Sequence, residues 1–183
     1  MPRLTDLGTL HPLMRAFVKE LLEKCHENKL PLEVYEAGRS PFRQAELYAL
    51  GRTTGERGKI KTRAHAYDSF HQFGFAIDGV FVVNGKWSWD PPSPGAWDEY
   101  THIVESVGLR PLSSEKPHAE MALKLSDLHA GKFPPGGDES WRNFLEREAE
   151  LWGRGARTVA DITHPGAPGC LFPTDRPTLP GLA

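Results

Sequence analysis

The sequence predicts an α+β fold in which helices flank a small antiparallel sheet. Segments with helical periodicity and segments with strand character both occur, but they do not alternate strictly, as they would around a parallel sheet. Asn84-Gly85, placed between two strand-like segments, is a strong signal for a hairpin, and hairpins join antiparallel strands. The chain has 183 residues, which is long enough to bury one hydrophobic core.

The first part of the chain is predicted to contain two helices, one strand and a long loop. Residues 11–29 carry apolar side chains at helical spacing, and residues 32–38 alternate as a strand does. Ser40 is a suitable N-cap for a helix over residues 41–51, which has proline at its first position. Residues 51–69 are rich in lysine and arginine and show no periodicity, so a long loop is expected there.

The second part is predicted to contain three strands and two helices. Residues 75–83 are rich in branched and aromatic side chains, and residues 86–89 are expected to pair with them across the hairpin. A helix over residues 96–108 should end at its glycine, and residues 116–123 have strand character. Residues 138–155 have the pattern of an amphipathic helix.

Three regions follow from this pattern. They are a main domain over residues 1–125, a helical extension packed on it over 126–157, and a tail rich in proline and glycine over 158–183. Trp141 and Trp152 in the extension could stack on sugar, but tryptophans at helical spacing are more often core residues, and the core is favoured here.

Composition excludes several classes of protein. The net charge of −2 argues against binding nucleic acid through bulk charge, and no apolar run is long enough for a membrane span. The N-terminal segment lacks a basic region followed by an apolar run, so synthesis in the cytoplasm without a signal peptide is expected. Cys25 is expected to be a buried thiol, and a disulfide with Cys170 is not expected. The motifs of elbow-type serine hydrolases and of dinucleotide enzymes are missing.

One polar constellation remains, and it suits a metal ion. His71 and Asp78 in the stretch DSFHQFGFAID carry an imidazole and a carboxylate, which are suitable donors for zinc. Strand residues seven apart point to opposite faces, so His71 must precede the bend at Gly74 while Asp78 lies on the strand. His118 is the best candidate for a third ligand, and Glu115 could take the proton of an activated water.

Other histidines carry a weaker signal. Isolated histidines of this kind are more often surface or hydrogen-bonded residues than functional ones. That interpretation is preferred for His65, His102 and His129.

Three motifs in the order of a known family support this interpretation. SFHQFGFAID resembles the S-x-H-x-x-G-x-A-x-D signature of zinc peptidases that cut peptidoglycan stem peptides. EAGRSPFRQAELYALGRT resembles the R-S-x-x-x-Q helix start of that family, and EKPHAEM resembles its acid-x-x-His element. The chain is thus similar to VanY-like D-Ala-D-Ala carboxypeptidases and phage endolysin L-alanyl-D-glutamate peptidases over about residues 32–122.

The resemblance implies roles for seven residues. It implies Zn²⁺ ligands, a general base, an arginine that stabilises the oxyanion, and two residues that orient substrate or support the site. The Zn²⁺ ligands would be His71, Asp78 and His118, and the general base would be Glu115. Arg39 would stabilise the oxyanion, and Ser69 and Gln44 would orient substrate or support the site. The implied fold is the hedgehog/D,D-peptidase-like zinc peptidase fold, with residues 1–125 as the catalytic domain.

The resemblance also implies a cellular role, with alternatives. The expected enzyme is an endolysin-like monomer that lyses the bacterial cell wall after release by a phage holin, with no nucleic acid or membrane as partner. Endolysin members often have aspartate where this chain has Glu115, whereas the carboxypeptidase branch favours glutamate, so wall remodelling by a D-Ala-D-Ala carboxypeptidase stays open. A non-hydrolytic zinc module that binds the wall is a third possibility. The basic loop, whose cations lie within residues 52–63, could hold an anionic wall polymer, or its charges could simply be solvated.

Overall fold

The computed structural model describes residues 2–155 of the chain. Its helices are α1 Pro12–Glu27, α2 Pro41–Ala49, α3 Ala96–Ser106, α4 Leu125–His129 and α5 Glu139–Gly155. Its strands are β1 Leu32–Glu36, β2 Ala76–Val83, β3 Lys86–Ser88, β4 Arg110–Leu112 and β5 Glu115–Glu120. Two 3-10 helices, Leu7–Thr9 and Phe70–Phe73, complete the set.

The five strands form one antiparallel sheet, so the predicted α+β class is confirmed. The order is β1-β2-β5-β4, and β3 pairs with the end of β2. Asn84 (φ 52°) and Gly85 (φ 71°) both have positive φ, as a tight hairpin turn between β2 and β3 requires. The central strand β2 is therefore paired along both edges, with β1, β3 and β5 as its partners.

Helices α1 and α3 cover one face of the sheet and form the main core. Apolar side chains from both helices pack against Ile77 and Phe81 of β2. Cys25 on α1 is buried as predicted, and burial raises the pKa of its thiol to about 12, so the thiolate form is strongly disfavoured. The expectation that Cys25 forms no disulfide with Cys170 stays a prediction, because Cys170 lies outside the described residues.

A second core lies beside the 3-10 helix Phe70–Phe73, and α5 contributes to it. Trp141 and Trp152 are 2% and 7% exposed, so the preference for core packing over sugar stacking is confirmed. The indole N–H of Trp141 donates a hydrogen bond to the carbonyl of Phe73 at 2.8 Å. The region boundaries at 125 and 157 stay predictions, and the predicted tail 158–183 lies outside the described residues.

Residues 50–69 run without a regular strand or helix, as the lack of periodicity predicted. Gly51 and Gly58 are joined by a backbone hydrogen bond of 2.8 Å, which closes the tip of this loop. Among the helices described, none has both the length and the apolar character that crossing a bilayer needs.

Candidate metal centre

Two histidines and one aspartate, remote in sequence, meet on one face of the sheet, over its two inner strands. Nε2 of His71 lies 3.3 Å from Oδ1 of Asp78 and 3.3 Å from Nδ1 of His118, and the latter nitrogen lies 3.2 Å from the same oxygen. Zinc–nitrogen and zinc–oxygen bonds of about 2.0–2.2 Å place neighbouring ligands of a tetrahedron about 3.3–3.6 Å apart. The spacing of the three atoms therefore fits one zinc ion.

His71 lies off the strand, on the 3-10 helix Phe70–Phe73, as the spacing argument predicted. Gly74 ends this helix with a φ of 73°, a conformation that glycine adopts without strain, and the chain then enters β2. The His71 ring is fully buried, and its Nδ1–H donates to the carbonyl of Ala37 at 2.7 Å. This bond fixes the tautomer, so the lone pair on Nε2 faces Asp78 and His118.

Strand register brings Asp78 and His118 together. They are direct partners across β2 and β5, and directly paired residues present their side chains on the same face of a sheet. On its other side Asp78 pairs with Glu36 of β1. Asp78 thus lies between His118 on one neighbouring strand and Glu36 on the other, and Glu36 bonds Arg39.

Glu120 fixes the orientation of His118. Nε2 of His118 donates to Oε2 of Glu120 at 2.9 Å, so its Nδ1 presents a lone pair to the cluster. Glu120 also accepts a hydrogen bond of 2.8 Å from Nε of Arg110. The sequence interpretation missed Glu120, although its position two residues after His118 on one strand indicates a shared face.

The members of the cluster shift one another's pKa values, and these shifts show where its charges lie. Burial, together with the charge of Arg39, lowers the pKa of His71, which keeps that ring neutral. Burial would raise the pKa of Asp78, but the two histidines and Arg39 lower it well below its usual value. Burial opposes the charged form of His118, yet its bonds to Asp78 and Glu120 raise its pKa to about 9. Two lone pairs and a carboxylate converge, and a proton on His118 or a divalent ion can supply the positive charge.

Arg39 lies beside the cluster and is almost completely buried. Its Nε donates to Oε2 of Glu36 at 2.8 Å, its Nη1 to Oε1 of Gln44 at 3.0 Å, and its Nη2 to Oδ2 of Asp78 at 2.5 Å. Burial lowers the pKa of the guanidinium, but Asp78 and Glu36 outweigh this and raise it. Asp78 therefore uses one oxygen for the cluster and the other for Arg39.

Glu36 is the second residue that the sequence interpretation missed. It is 1% exposed and also accepts a hydrogen bond of 2.5 Å from Nε of Arg43. Nothing in the sequence near Glu36 signals this role, because its contact with the site depends on the pairing of β1 with β2. Its carboxylate offsets the cost of burying the positive charge of Arg39, because the two groups form an ion pair.

Glu115 faces the same cleft as His118 because β5 is irregular. Leu112 pairs with Glu115 while the next pair is Pro111 with Ala119, so extra residues bulge out of β5. Bulges re-aim side chains, and here both members of the acid-x-x-His element line one cleft although regular alternation would separate them. Glu115 is exposed, and its charge helps to raise the pKa of Arg39.

The two predicted supporting residues occupy different positions. Gln44 is completely buried and bonds Arg39, so it supports that guanidinium. Ser69 is partly exposed, lines the cleft and begins the 3-10 helix that carries His71; its backbone N–H donates to Oε1 of Gln72 at 3.2 Å. Their assignment to substrate binding or to support of the site stays a prediction.

The remaining histidines lie apart from the cluster. His129 bonds the carbonyl of Tyr67 at 2.7 Å, and the ring of His65 packs on that of Tyr48 at 4.0 Å between centroids. His102 is exposed on α3. The group that could hold a metal in the described part of the chain is His71, Asp78 and His118.

The cleft above the cluster has a volume of about 750 Å³. One side is formed by residues 58–64 of the basic loop. The other side is formed by the β4–β5 hairpin, with Leu112, Ser114 and Glu115. His71, His118 and Arg39 line its floor. A cleft of this size can take a short peptide, which would lie over the two histidines and the guanidinium.

Two L-alanyl-D-glutamate endopeptidases are among the known proteins to which the chain is similar. The peptidoglycan L-alanyl-D-glutamate endopeptidase CwlK of Bacillus subtilis is 29% identical over 124 residues, which cover 61% of this chain and 73% of CwlK. The crystal structure of the L-Ala D-Glu endopeptidase ChiX of Serratia marcescens has a TM-score of 0.47 and 21% identity, and the match covers 69% of this chain and 93% of that chain. No protein-family model matches the chain.

Proposed function

We propose that the chain is a zinc-dependent peptidoglycan L-alanyl-D-glutamate endopeptidase. Its resemblance to the endolysin and VanY-like peptidases, and its similarity to CwlK, support the proposal. The observation that carries the proposal is the convergence of two imidazole nitrogens and one carboxylate oxygen, 3.2–3.3 Å apart, at a peptide-sized cleft whose floor includes both histidines. Nitrogen and carboxylate donors in this number are the usual protein ligands of a catalytic zinc ion.

His71, Asp78 and His118 would hold the ion. When bound, zinc supplies a Lewis acid that polarises a carbonyl and acidifies water. The two imidazoles are already oriented by Ala37 and Glu120, so little conformational freedom is lost when the ion binds.

Arg39 would stabilise the negative charge that develops on the carbonyl oxygen of the substrate. Its guanidinium has five N–H donors, and its protein partners Glu36, Gln44 and Asp78 engage four of them. One Nη1–H is left for an oxygen in the cleft. Since the group is held on three sides, it needs no reorganisation when that charge appears.

Glu115 would act as the general base and then as the general acid. Its carboxylate lines the cleft, is exposed to solvent, and lies on a different wall from the basic loop. From there it can take a proton from the attacking water and return it to the leaving amine. Replacement by glutamine keeps the shape of the side chain and removes this capacity.

Mass spectrometry of digested muropeptides tests the proposal. The wild-type chain with Zn²⁺ should release fragments with a new N-terminal D-glutamate, and a chelator should abolish the reaction. Glu115→Gln should still bind zinc, as elemental analysis can show, but should lose on the order of a hundredfold or more in rate. Full activity of this variant would rule out the base assignment.

The same digest separates the alternatives. Release of a terminal D-alanine would favour the D-Ala-D-Ala carboxypeptidase, and zinc binding without any cleavage would favour the wall-binding module. Glu115 argues against the module, because a protein that only binds has no need of a base in this cleft. Synthesis in the cytoplasm and action on the wall after holin-type release are proposed as the cellular context.

A further inference from the structure

The basic loop forms one wall of the cleft in a defined conformation. Gln44, which is completely buried, donates through Nε2 to the carbonyl of Ala64 at 2.8 Å, and the same nitrogen lies 3.4 Å from Oγ1 of Thr62. Nη1 of Arg52 donates to the carbonyl of Thr62 at 3.0 Å. Residues 62 and 64 are therefore anchored to the body of the domain.

Lys61 and Arg63, on either side of Thr62, differ from the anchored residues in their exposure. Lys61 and Arg63 are exposed, whereas Thr62 and Ala64 are half-buried, and all four line the cleft. This alternation in exposure is expected of an extended chain. The Oε1 atom of Gln44 accepts a bond from Arg39, so one buried amide connects this wall with the guanidinium on the cleft floor. The backbone that carries the two cations is thereby held in position relative to the candidate metal centre.

Lys61 and Arg63 have no anionic partner among the described residues. The neighbouring Lys59 is paired with Glu56 at 2.8 Å, Glu120 is occupied by Arg110 and His118, and Arg39 is paired with Glu36 and Asp78. Neither Lys61 nor Arg63 makes such a pair in the part of the chain that the structure describes. Two unpaired cations that face a peptide-sized cleft suit an anionic group on the substrate.

We propose that Lys61 and Arg63 determine specificity by binding the free carboxylate of the residue that follows the scissile bond. The inference rests on the proposed peptidase function. In a stem peptide, D-glutamate is joined to the next residue through its γ-carboxyl, so its α-carboxylate is free and lies next to the bond that is cut. Amidation of that carboxylate, which gives D-isoglutamine, removes the charge and leaves the rest of the peptide unchanged.

Two synthetic peptides that differ only in this group test the inference. The peptides are L-Ala-γ-D-Glu-L-Lys and its D-isoglutamine counterpart, assayed with the wild-type chain and with Lys61→Ala/Arg63→Ala. The double variant should raise KM for the glutamate peptide about tenfold, as expected for loss of a charge-assisted hydrogen bond in a partly exposed cleft. KM for the amidated peptide and kcat for both should change little. Added salt should raise KM for the glutamate peptide in the wild type only.

Arg57→Ala is the matched control, since Arg57 is a cation of the same loop that does not line the cleft. It should leave both KM values unchanged. Equal effects of the double variant on the two peptides, or no effect on either, would overturn the inference. A defect confined to whole cell walls, with normal KM for both peptides, would also overturn it and would indicate an anionic wall polymer instead.

Failure of the proposed function gives a different result. If the wild type with zinc cuts neither peptide, calorimetric titration of both peptides into Glu115→Gln still measures the charge preference. Tighter binding of the glutamate peptide that is lost on adding Lys61→Ala/Arg63→Ala supports the inference. Equal affinity for the two peptides contradicts it, whatever reaction the chain catalyses.

Discussion

Gly74→Ala should damage both the stability of the domain and its candidate metal centre, because this glycine forms the bend between His71 and Asp78. The residue has a φ of 73°, which alanine adopts only with strain. A Cβ atom there would lie 2.5 Å from the carbonyl oxygen of Thr9 and 2.9 Å from the indole of Trp141. The first of these is a backbone atom, so a rotamer change cannot relieve the contact.

The expected cost has two parts. The left-handed conformation costs a non-glycine residue about 1–2 kcal/mol. Overpacking against a rigid neighbour costs about 1–3 kcal/mol more. The sum, about 2–5 kcal/mol, is a large part of the 5–15 kcal/mol that stabilises a typical domain. If the strain is relieved by movement of the 3-10 helix, His71 moves with it and zinc binding weakens.

Urea unfolding with Gly85→Ala as control measures the packing part. Gly85 has almost the same φ, 71°, but a Cβ atom there would meet nothing within 4 Å. Gly85→Ala should therefore lose only the conformational part, about 1–2 kcal/mol. Competition with a chromogenic chelator should show weaker zinc binding for Gly74→Ala and unchanged binding for Gly85→Ala. Equal losses of stability in the two variants would refute the reasoning.

Two further predictions concern buried groups outside the reacting atoms. Burial lowers the pKa of His11 from 6.5, so the unfolded chain binds the proton more readily, and the free energy of unfolding falls as pH drops below about that value. His11→Asn keeps a helix N-cap, and its free energy of unfolding in urea should fall less between neutral and mildly acidic pH. An equally steep fall in the variant would contradict this. Glu120→Ala leaves Nε2 of His118 without its acceptor and should weaken zinc binding about 10–100-fold in chelator competition, with Glu120→Gln affected less; unaltered affinity of the alanine variant would show that Glu120 does not orient His118.

The regular elements that carry the core could be predicted because each is long enough to show its period. Helix α1 displays its apolar stripe over four turns, and the turn at Asn84-Gly85 has its own sequence signature. Strand β4, with three residues and a proline at its centre, has neither, and it forms because β5 lies beside it. Helix α4 has only five residues and was missed for the same reason.

The sequence predicted which side chains would meet at the candidate metal centre, but not the residues that hold them in place. His71, Asp78 and His118 belong to chemically distinctive motifs, and the period of a strand placed His71 before the bend. Glu36 contacts Arg39 only because β1 pairs with β2 in one particular register. Such a contact depends on the tertiary fold, and a single sequence without this register contains no local sign of it.

Asp78 links the metal centre to the group that would stabilise the oxyanion. Its Oδ1 faces the two histidines and its Oδ2 accepts from Arg39, so one carboxylate fixes the distance between the ion position and the guanidinium. Burying Arg39 is costly, and the two acids Glu36 and Asp78 offset that cost by keeping it paired. Because both acids lie on paired strands, Arg39 cannot follow a substrate that binds out of position. In the proposed reaction, the sheet register would therefore set which carbonyl in the cleft is activated, and a peptide shifted by one residue would meet the ion without the arginine.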